Sequence, residues 1–324
     1  MSSLSIIICH YKEPWPIVKP MFDSLQMQRG IDWRDIEVLI IQDGAEGALD
    51  GQYFVGYNLP ITAYTIQHGG ISRARNYGLE AANGEYIMWC DCDDCFHSAY
   101  GLHLMFSAMQ EKPDIINSTF IEESRATSEY RMFIHDADIT FVHGKAFRRE
   151  FLVENDIRYP ADITKHEDGA TIGLAFQLTR NIKYIQTPFY TWCWNGESVM
   201  RKGGITLTLL ETYPELIKAR TRFMEEMEKR GKDIKRHVAK TIFTTYYDFQ
   251  KDTFVKPENK PLIVKAAKAV QEFYLRYKEV YLSNDGKELA EMANQSRKHA
   301  YENGMLMEHM TIGQFLSMIT GLKG

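Results

Sequence analysis

Apolar positions follow two alternating rhythms through the first 122 residues. LSIIICHY, from Leu4, is a short apolar run, and PWPIVKPMFDSLQMQ behind it repeats its apolar positions at helical spacing. IEVLIIQDG is a second apolar run ending in Asp-Gly, a turn signal. ITAYTIQ alternates and breaks at Gly69-Gly70; ISRARNYGLEAANG predicts a helix closed by Gly84, a glycine just past the helix end. EYIMWC predicts a strand, SAYGLHLMFSAMQEKP a helix with Ser98 as its N-cap, and DIINSTFIE a further strand. Strands alternating with helices of this length predict an α/β fold whose mostly parallel central sheet is covered on both faces. Ligands of such sheets gather at the carboxyl ends of strands. There this chain carries His10-Tyr11, Asp43-Gly44 and Asp91-Cys92-Asp93-Asp94.

Beyond residue 205 the rhythm is helical throughout, and glycine almost disappears from LLETYPELIKARTRFMEEMEKRG, IKRHVAKTIFTTYYDFQKD and LIVKAAKAVQEFYLRYKEVY. The expected division is an α/β domain over 1–205 and a helical C-terminal region over 206–324, with VKPENKP as a linker between helices. Charge divides the same way. Residues 1–200 hold 16 Lys and Arg against 27 Asp and Glu, a net of −11, and residues 201–324 hold 22 against 16, a net of +6. The acidic part suits a cation site. The basic part fits either solvated helix faces or a surface for an anionic partner. Tyr246, Tyr247 and Phe249 in it read as helix-packing core.

Composition narrows the class. With 44% hydrophobic and 25% charged residues the chain is an ordinary globular one. The N-terminal stretch has no basic n-region, and no apolar run approaches the roughly 20 residues needed to span a bilayer. Five cysteines, three of them in one turn, argue against a disulfide framework. The expectation is a cytoplasmic protein with reduced thiols and no transmembrane segment.

The turn MWCDCDDCF offers two metal chemistries. Cys90, Cys92 and Cys95, with His97, are zinc-type ligands, but structural zinc usually draws ligand pairs from two separated segments. In extended chain Asp91 and Asp93 share one face and Cys90 and Cys92 the other. The carboxylates then present hard oxygens to Mg²⁺ or Mn²⁺, which accept one or two protein carboxylates and complete their shell with phosphates and water. Asp94 fits a helix-capping acid.

The blocks SIIICHYKEP, VLIIQDGAEG, GGISRARNYGLEAANGEYIMWCDCDD and KHEDG resemble, in order and spacing, the family 2 glycosyltransferases of the GT-A fold, over roughly residues 4–200. HGKAFRREFLVENDIRYP looks like the stretch before that family's catalytic acidic pair. The resemblance implies a metal-dependent, inverting transfer from a nucleoside-diphosphate sugar, UDP-linked, with Mn²⁺ or Mg²⁺ as cofactor. It places His10, Tyr11 and Glu13 at the edge of the nucleotide pocket, Asp43 on the uracil ring, and Arg75 near the base or diphosphate. It gives Asp93 direct metal coordination and Asp91 the ribose or the metal. Asp168 becomes the base that strips the acceptor hydroxyl, and Glu167 its acceptor-holding neighbour. His166 reads as structural. The first block departs from the family's P-x-Y-N, with Cys9 and Lys12 in place of proline and asparagine. Trp192, Trp194 and Asn195 stand where relatives carry an aromatic strand and lid, and Arg201-Lys202 beside Gly203-Gly204 reads as a mobile closing segment.

For the acceptor the expectation is a glycan or lipid-linked glycan, with a modified base in DNA as the alternative. Peripheral membrane contact through the basic helical tail accompanies the lipid-linked reading. A nucleotidyltransferase would share the carboxylates and Mg²⁺, but its glycine- and lysine-rich phosphate loop does not occur here. An inactive sugar- or nucleic-acid-binding module would not need Asp43, Asp91, Asp93 and Asp168 together.

Overall fold

A computed structural model describes residues 3–126, 129–196, 205–283 and 310–322, with scattered helical positions between 287 and 295. Two compact units are present, Met1–Gly196 and Glu197–Gly324.

The first unit is built on one mixed sheet. β1 (Leu4–His10), β2 (Ile36–Asp43), β3 (Ile61–Ile66) and β4 (Tyr86–Asp91) pair in parallel, in the order β3-β2-β1-β4. β5 (Cys95–Phe96), β6 (Ile115–Ala126), β7 (Glu129–His135), β8 (Lys145–Arg148) and β9 (Ile182–Trp192) extend the sheet beyond β4 through β8, with antiparallel pairings and one parallel β6–β9 pair. α1 (Trp15–Gln26), α2 (Ile71–Ala81), α3 (Gly101–Met109), α4 (Arg149–Glu154) and α5 (Glu167–Leu178) complete this unit.

β1 is buried along its whole length because both of its faces are covered. Ile6 and Ile8 pack in one core with Phe22 of α1 and Met105 of α3. Ile7 and Cys9 pack in the other with Ala74 and Leu79 of α2 and Ile172 of α5. Each fully buried aliphatic side chain contributes roughly 1.5–3 kcal/mol, which fixes the register of the central strands. That register sets His10 opposite Gln42 and Cys9 opposite Asp91, so the ends of β1, β2 and β4 lie side by side.

Three local expectations are corrected. Gly84 does not close α2: the helix ends at Ala81 and Ala82 is already extended. Gly84 is instead a point of close approach, where a Cβ would lie 2.6 Å from the Ser5 backbone nitrogen. Ser98 is not the N-cap of α3, which is Tyr100; its hydroxyl accepts from Tyr100 N at 3.3 Å in the turn before the helix. Asp94 caps no helix. It is wholly buried and accepts from Tyr190 Oη (2.7 Å) and the backbone N–H of Cys193 (3.0 Å), tying the acidic turn to the end of β9.

The second unit contains α6 (Ile205–Glu211), α7 (Tyr213–Lys229), α8 (Lys235–Asp248), α9 (Asp252–Val255), α10 (Lys260–Tyr281) and a last helix, Ile312–Thr320. Tyr246 and Phe249 are buried against Phe315, and Tyr213 donates to Asp248 at 2.8 Å. Among the described residues no helix is long and apolar enough to cross a membrane.

Candidate active site

Arg75, on the buried face of α2, is only 2% exposed. Its guanidinium donates to Asp91 Oδ1 at the tip of β4 (3.0 Å), and to Glu167 Oε1 (2.8 Å) and Asp168 Oδ1 (2.6 Å) at the start of α5. The Tyr159 ring lies against it, 4.9 Å from centroid to Cζ. A planar five-donor fork is the side chain suited to gathering several carboxylates in a buried place. The resemblance assigned Arg75 to the base or diphosphate; the structure places it as the hub of three carboxylates.

The balance of charge around that hub is negative. Burial and then the Asp168 charge push the Glu167 carboxyl above its ordinary range, against the pull of Arg75. Burial also acts to raise Asp91, but Arg75 and then His143 outweigh it and hold that carboxyl below its usual value. The Glu167 side chain is 11% exposed and that of Asp168 17%, so Asp168 is the more open of the two. His166, just before the pair, adopts left-handed backbone (φ 64°), a conformation uncommon outside glycine that turns the chain sharply into α5.

The acidic turn itself separates by side, as alternation requires. Cys90 and Cys92 are buried in the core, and burial pushes both thiols well above the ordinary value. They are held as thiols, whereas zinc binds thiolate. Asp93 accepts from Asn195 Nδ2 at 3.0 Å. Burial, followed by the charges of Asp94 and Asp91, pushes its carboxyl up to about 7, with Glu13 adding to the effect. Among the described residues one triad of metal-ligand types, Asp91, Asp94 and His143, has donor atoms within 4.8 Å of one another. Its Asp94 is engaged as described above, and His143 is stacked between Tyr190 and Trp192. Asp94 and His143 are buried, whereas Asp91 and Asp93 are half-buried.

A cleft of about 520 Å³ lies at the ends of β1, β2 and β3, lined by Tyr11, Lys12, Gly44–Glu46 and Thr65–His68. Tyr11 is 42% exposed and stacks on His68, ring centroids 4.4 Å apart and 14° from coplanar. His10 and Glu13 support this edge from below. His10 Nε2 is 2.9 Å from the Glu13 carbonyl, and Glu13 Oε2 accepts from Tyr11 N at 2.7 Å. Asp43 is buried beneath the cleft floor. Its oxygens accept from Gly69 N (2.7 Å) and Gly70 N (2.8 Å), and His68 Nδ1 lies 2.9 Å from Oδ2. Asp43, which the resemblance put on the uracil ring, also shapes the loop between β3 and α2 and holds His68.

Of the residues named from the sequence, Arg75, Asp91, Glu167 and Asp168 meet in one ion cluster, Asp93 and Glu13 border it, and Tyr11 faces the cleft. His68 and Tyr159 were missed, because each acts through a partner far away in sequence. Asn195 was noticed only as a neighbour of tryptophans, and Asp93 is its partner. Arg201 to Gly204 lie outside the described residues.

Comparison with known proteins adds the family. The model of glycosyl transferase family 2 matches residues 5–166, half of the chain. An uncharacterized glycosyltransferase of Bacillus subtilis (strain 168), EpsJ, is 27% identical over 219 residues, which cover 60% of this chain and 62% of EpsJ. The poly(ribitol-phosphate) beta-glucosyltransferase of Bacillus spizizenii is 28% identical over 179 residues, 51% of this chain and 28% of that protein. The matched region is thus less than two thirds of either relative. In three dimensions the chain is similar to S. aureus TarS 1-349 in complex with UDP-GlcNAc, with TM-score 0.60 and 15% identity, over 95% of this chain and 93% of that one. The fold is therefore GT-A-like, and the chain is a glycosyltransferase that belongs to glycosyl transferase family 2.

Proposed function

We propose that this glycosyltransferase moves a sugar from a UDP-sugar to a hydroxyl of a glycan or lipid-linked glycan, with inversion at the anomeric carbon. The observation that carries the reading is the single guanidinium of Arg75 binding Asp91, Glu167 and Asp168, which sets a strand-end acid beside a candidate base. The UDP-GlcNAc in the TarS structure supports the donor class. The name of the Bacillus spizizenii relative supports a polymeric acceptor. Burial of Tyr246 and Phe249 leaves the DNA alternative without a stacking surface from those residues.

The donor set fits a hard divalent cation. Glu13, Asp91, Asp93 and Asp94 converge with an excess of negative charge that adds to burial in raising Asp93, and burial pushes the Cys90 and Cys92 thiols well up. Asp91 and Asp93 would hold Mn²⁺ or Mg²⁺, which supplies Lewis-acid stabilisation of the departing diphosphate. Tyr11 and His68 flank the nucleotide. Asp168 takes the proton from the acceptor hydroxyl as its oxygen attacks the anomeric carbon; the bond from that carbon to the diphosphate breaks, and UDP leaves with the electron pair. Arg75 positions Asp168 and Asp91, and Glu167, pushed toward its protonated form, orients the acceptor side. We assign the transfer to residues 1–205 and contact with an anionic acceptor carrier to the basic region 206–324.

The test is UDP-sugar turnover with Mn²⁺ and with EDTA, for the wild type and Asp168→Asn. Chelation should abolish turnover. Asp168→Asn should lower kcat by about 10²–10⁴ while leaving UDP affinity unchanged. Full turnover by Asp168→Asn would remove it as the base, and turnover in EDTA would remove the cation.

A further inference from the structure

Two of the five cysteines meet across a long stretch of chain. The antiparallel pairing of β5 with β9 sets Cys95 opposite Thr191, and Cys193 follows just past the end of β9. Their sulfurs lie 3.5 Å apart although 98 residues separate them, and both residues are half-buried. Cys9, Cys90 and Cys92, by contrast, are buried in the two cores. A disulfide needs about 2.05 Å between its sulfurs, so the pair has only about 1.5 Å to close. The two segments are already held together beside the sulfurs. Cys193 N donates to Asp94 Oδ1 (3.0 Å), and Asn195 Nδ2 donates to Asp93 Oδ2 (3.0 Å).

We propose that Cys95 and Cys193 are a dithiol that a small-molecule disulfide oxidises reversibly, and that the resulting bond weakens cation binding at the acidic turn. The second half rests on the reading of Asp93 as a cation ligand. The exchange balances. One cysteine, losing its proton, attacks the small disulfide, forms a mixed disulfide and releases one thiolate, which takes up that proton. The other cysteine, losing its proton, attacks the sulfur of the first; the Cys95–Cys193 bond forms, and the second small thiolate leaves and is protonated. Two cysteines are oxidised, and one small disulfide is reduced to two thiols. Position gives the bond its consequence. Asp93 precedes Cys95 by two residues and Asn195 follows Cys193 by two, so the bond holds the Asn195 amide on Asp93. That amide N–H and a cation compete for the same carboxylate oxygen. In the dithiol form no covalent tie holds the amide there, and it yields to the cation.

The experiment equilibrates the full chain with glutathione and glutathione disulfide, for the wild type and for a double variant carrying Cys95→Ser and Cys193→Ser. Thiols are counted in denaturant, linked peptides are mapped by mass spectrometry, and Mn²⁺ is titrated by calorimetry. Oxidation should lower the wild-type count from five thiols to three, with Cys95 and Cys193 in one linked peptide pair, and dithiothreitol should restore five. Mn²⁺ should bind the oxidised wild type about tenfold more weakly than the reduced, whereas the double variant should bind it equally under both conditions. Five thiols after oxidation, a bond to a different cysteine, or glutathione left attached to Cys95 or Cys193 would overturn the dithiol. Equal Mn²⁺ affinity of the oxidised and reduced wild type would overturn the effect on the turn and leave the cation reading intact. Failure of the reduced wild type to bind Mn²⁺ would overturn the cation reading, and the effect on the turn with it.

Discussion

Arg75 carries one positive charge and meets three carboxylates, and it does so where water cannot share the load. Removing one partner of a buried ion cluster costs about 3–5 kcal/mol, because the charges left behind remain desolvated. Arg75→Met should therefore lower stability by about that amount in urea denaturation, and Arg75→Lys by less, since an ammonium keeps the charge but loses the fork. A loss under about 1 kcal/mol for Arg75→Met would mean the cluster does not hold the site together. The acidic residue types and Arg75 itself stood out in the sequence. Their partnership did not, because Arg75 is 92 and 93 residues from Glu167 and Asp168 and no local spacing encodes such a contact. His68 was invisible for the same reason. Its partner is Asp43, 25 residues earlier, and nothing in QHGG announces that contact.

Elements were easiest to read where burial is one-sided or complete. β1, β2 and β4 are apolar runs because the sheet is covered on both faces, and α1 and α2 carry the helical spacing that covers it. β7 escaped notice because nearly every residue in it is exposed, so EYRMFIH has no buried face to give it rhythm. Element ends were harder still. Gly84, Ser98 and Asp94 were each given a local capping role; Gly84 and Asp94 are instead used by distant partners, Ser5 and the end of β9, and Ser98 by the turn just before α3. The Gly84 contact has a measurable consequence. A methyl group there would press on the Ser5 nitrogen at 2.6 Å and the Leu4 carbonyl carbon at 2.9 Å, both backbone atoms that cannot swing aside. Gly84→Ala should cost roughly 1–3 kcal/mol by thermal or chemical denaturation, a cost that a merely flexible loop glycine would not show.

At the scale of the whole molecule, the change from alternating rhythms to glycine-poor helices was plain in the chain, and so was the opposite charge of its two parts. Which strands run antiparallel was not, since pairing direction depends on contacts between segments rather than on their composition. The clustered acids also shape the pH response. Glu167 titrates above its ordinary value of 4.5 in the folded chain, chiefly through burial and then the Asp168 charge. As pH rises from about 4.5 toward neutrality, the unfolded chain releases that proton first, so this group lowers stability across that window. Asp91, held below 3.8, works the other way: it adds stability above that value, and the gain is lost as pH falls through its lowered folded value. Glu167→Gln should therefore melt higher than the wild type at pH 8 and converge with it at pH 4; equal melting points at pH 8 would contradict this. One earlier feature reaches further. The carboxylates of residues 91, 167 and 168 are joined by a side chain at position 75, and two of its three contacts span 92 and 93 residues. Contacts so remote in sequence form only after slow chain closure. A partly formed chain therefore lacks this cluster until its remote segments have met.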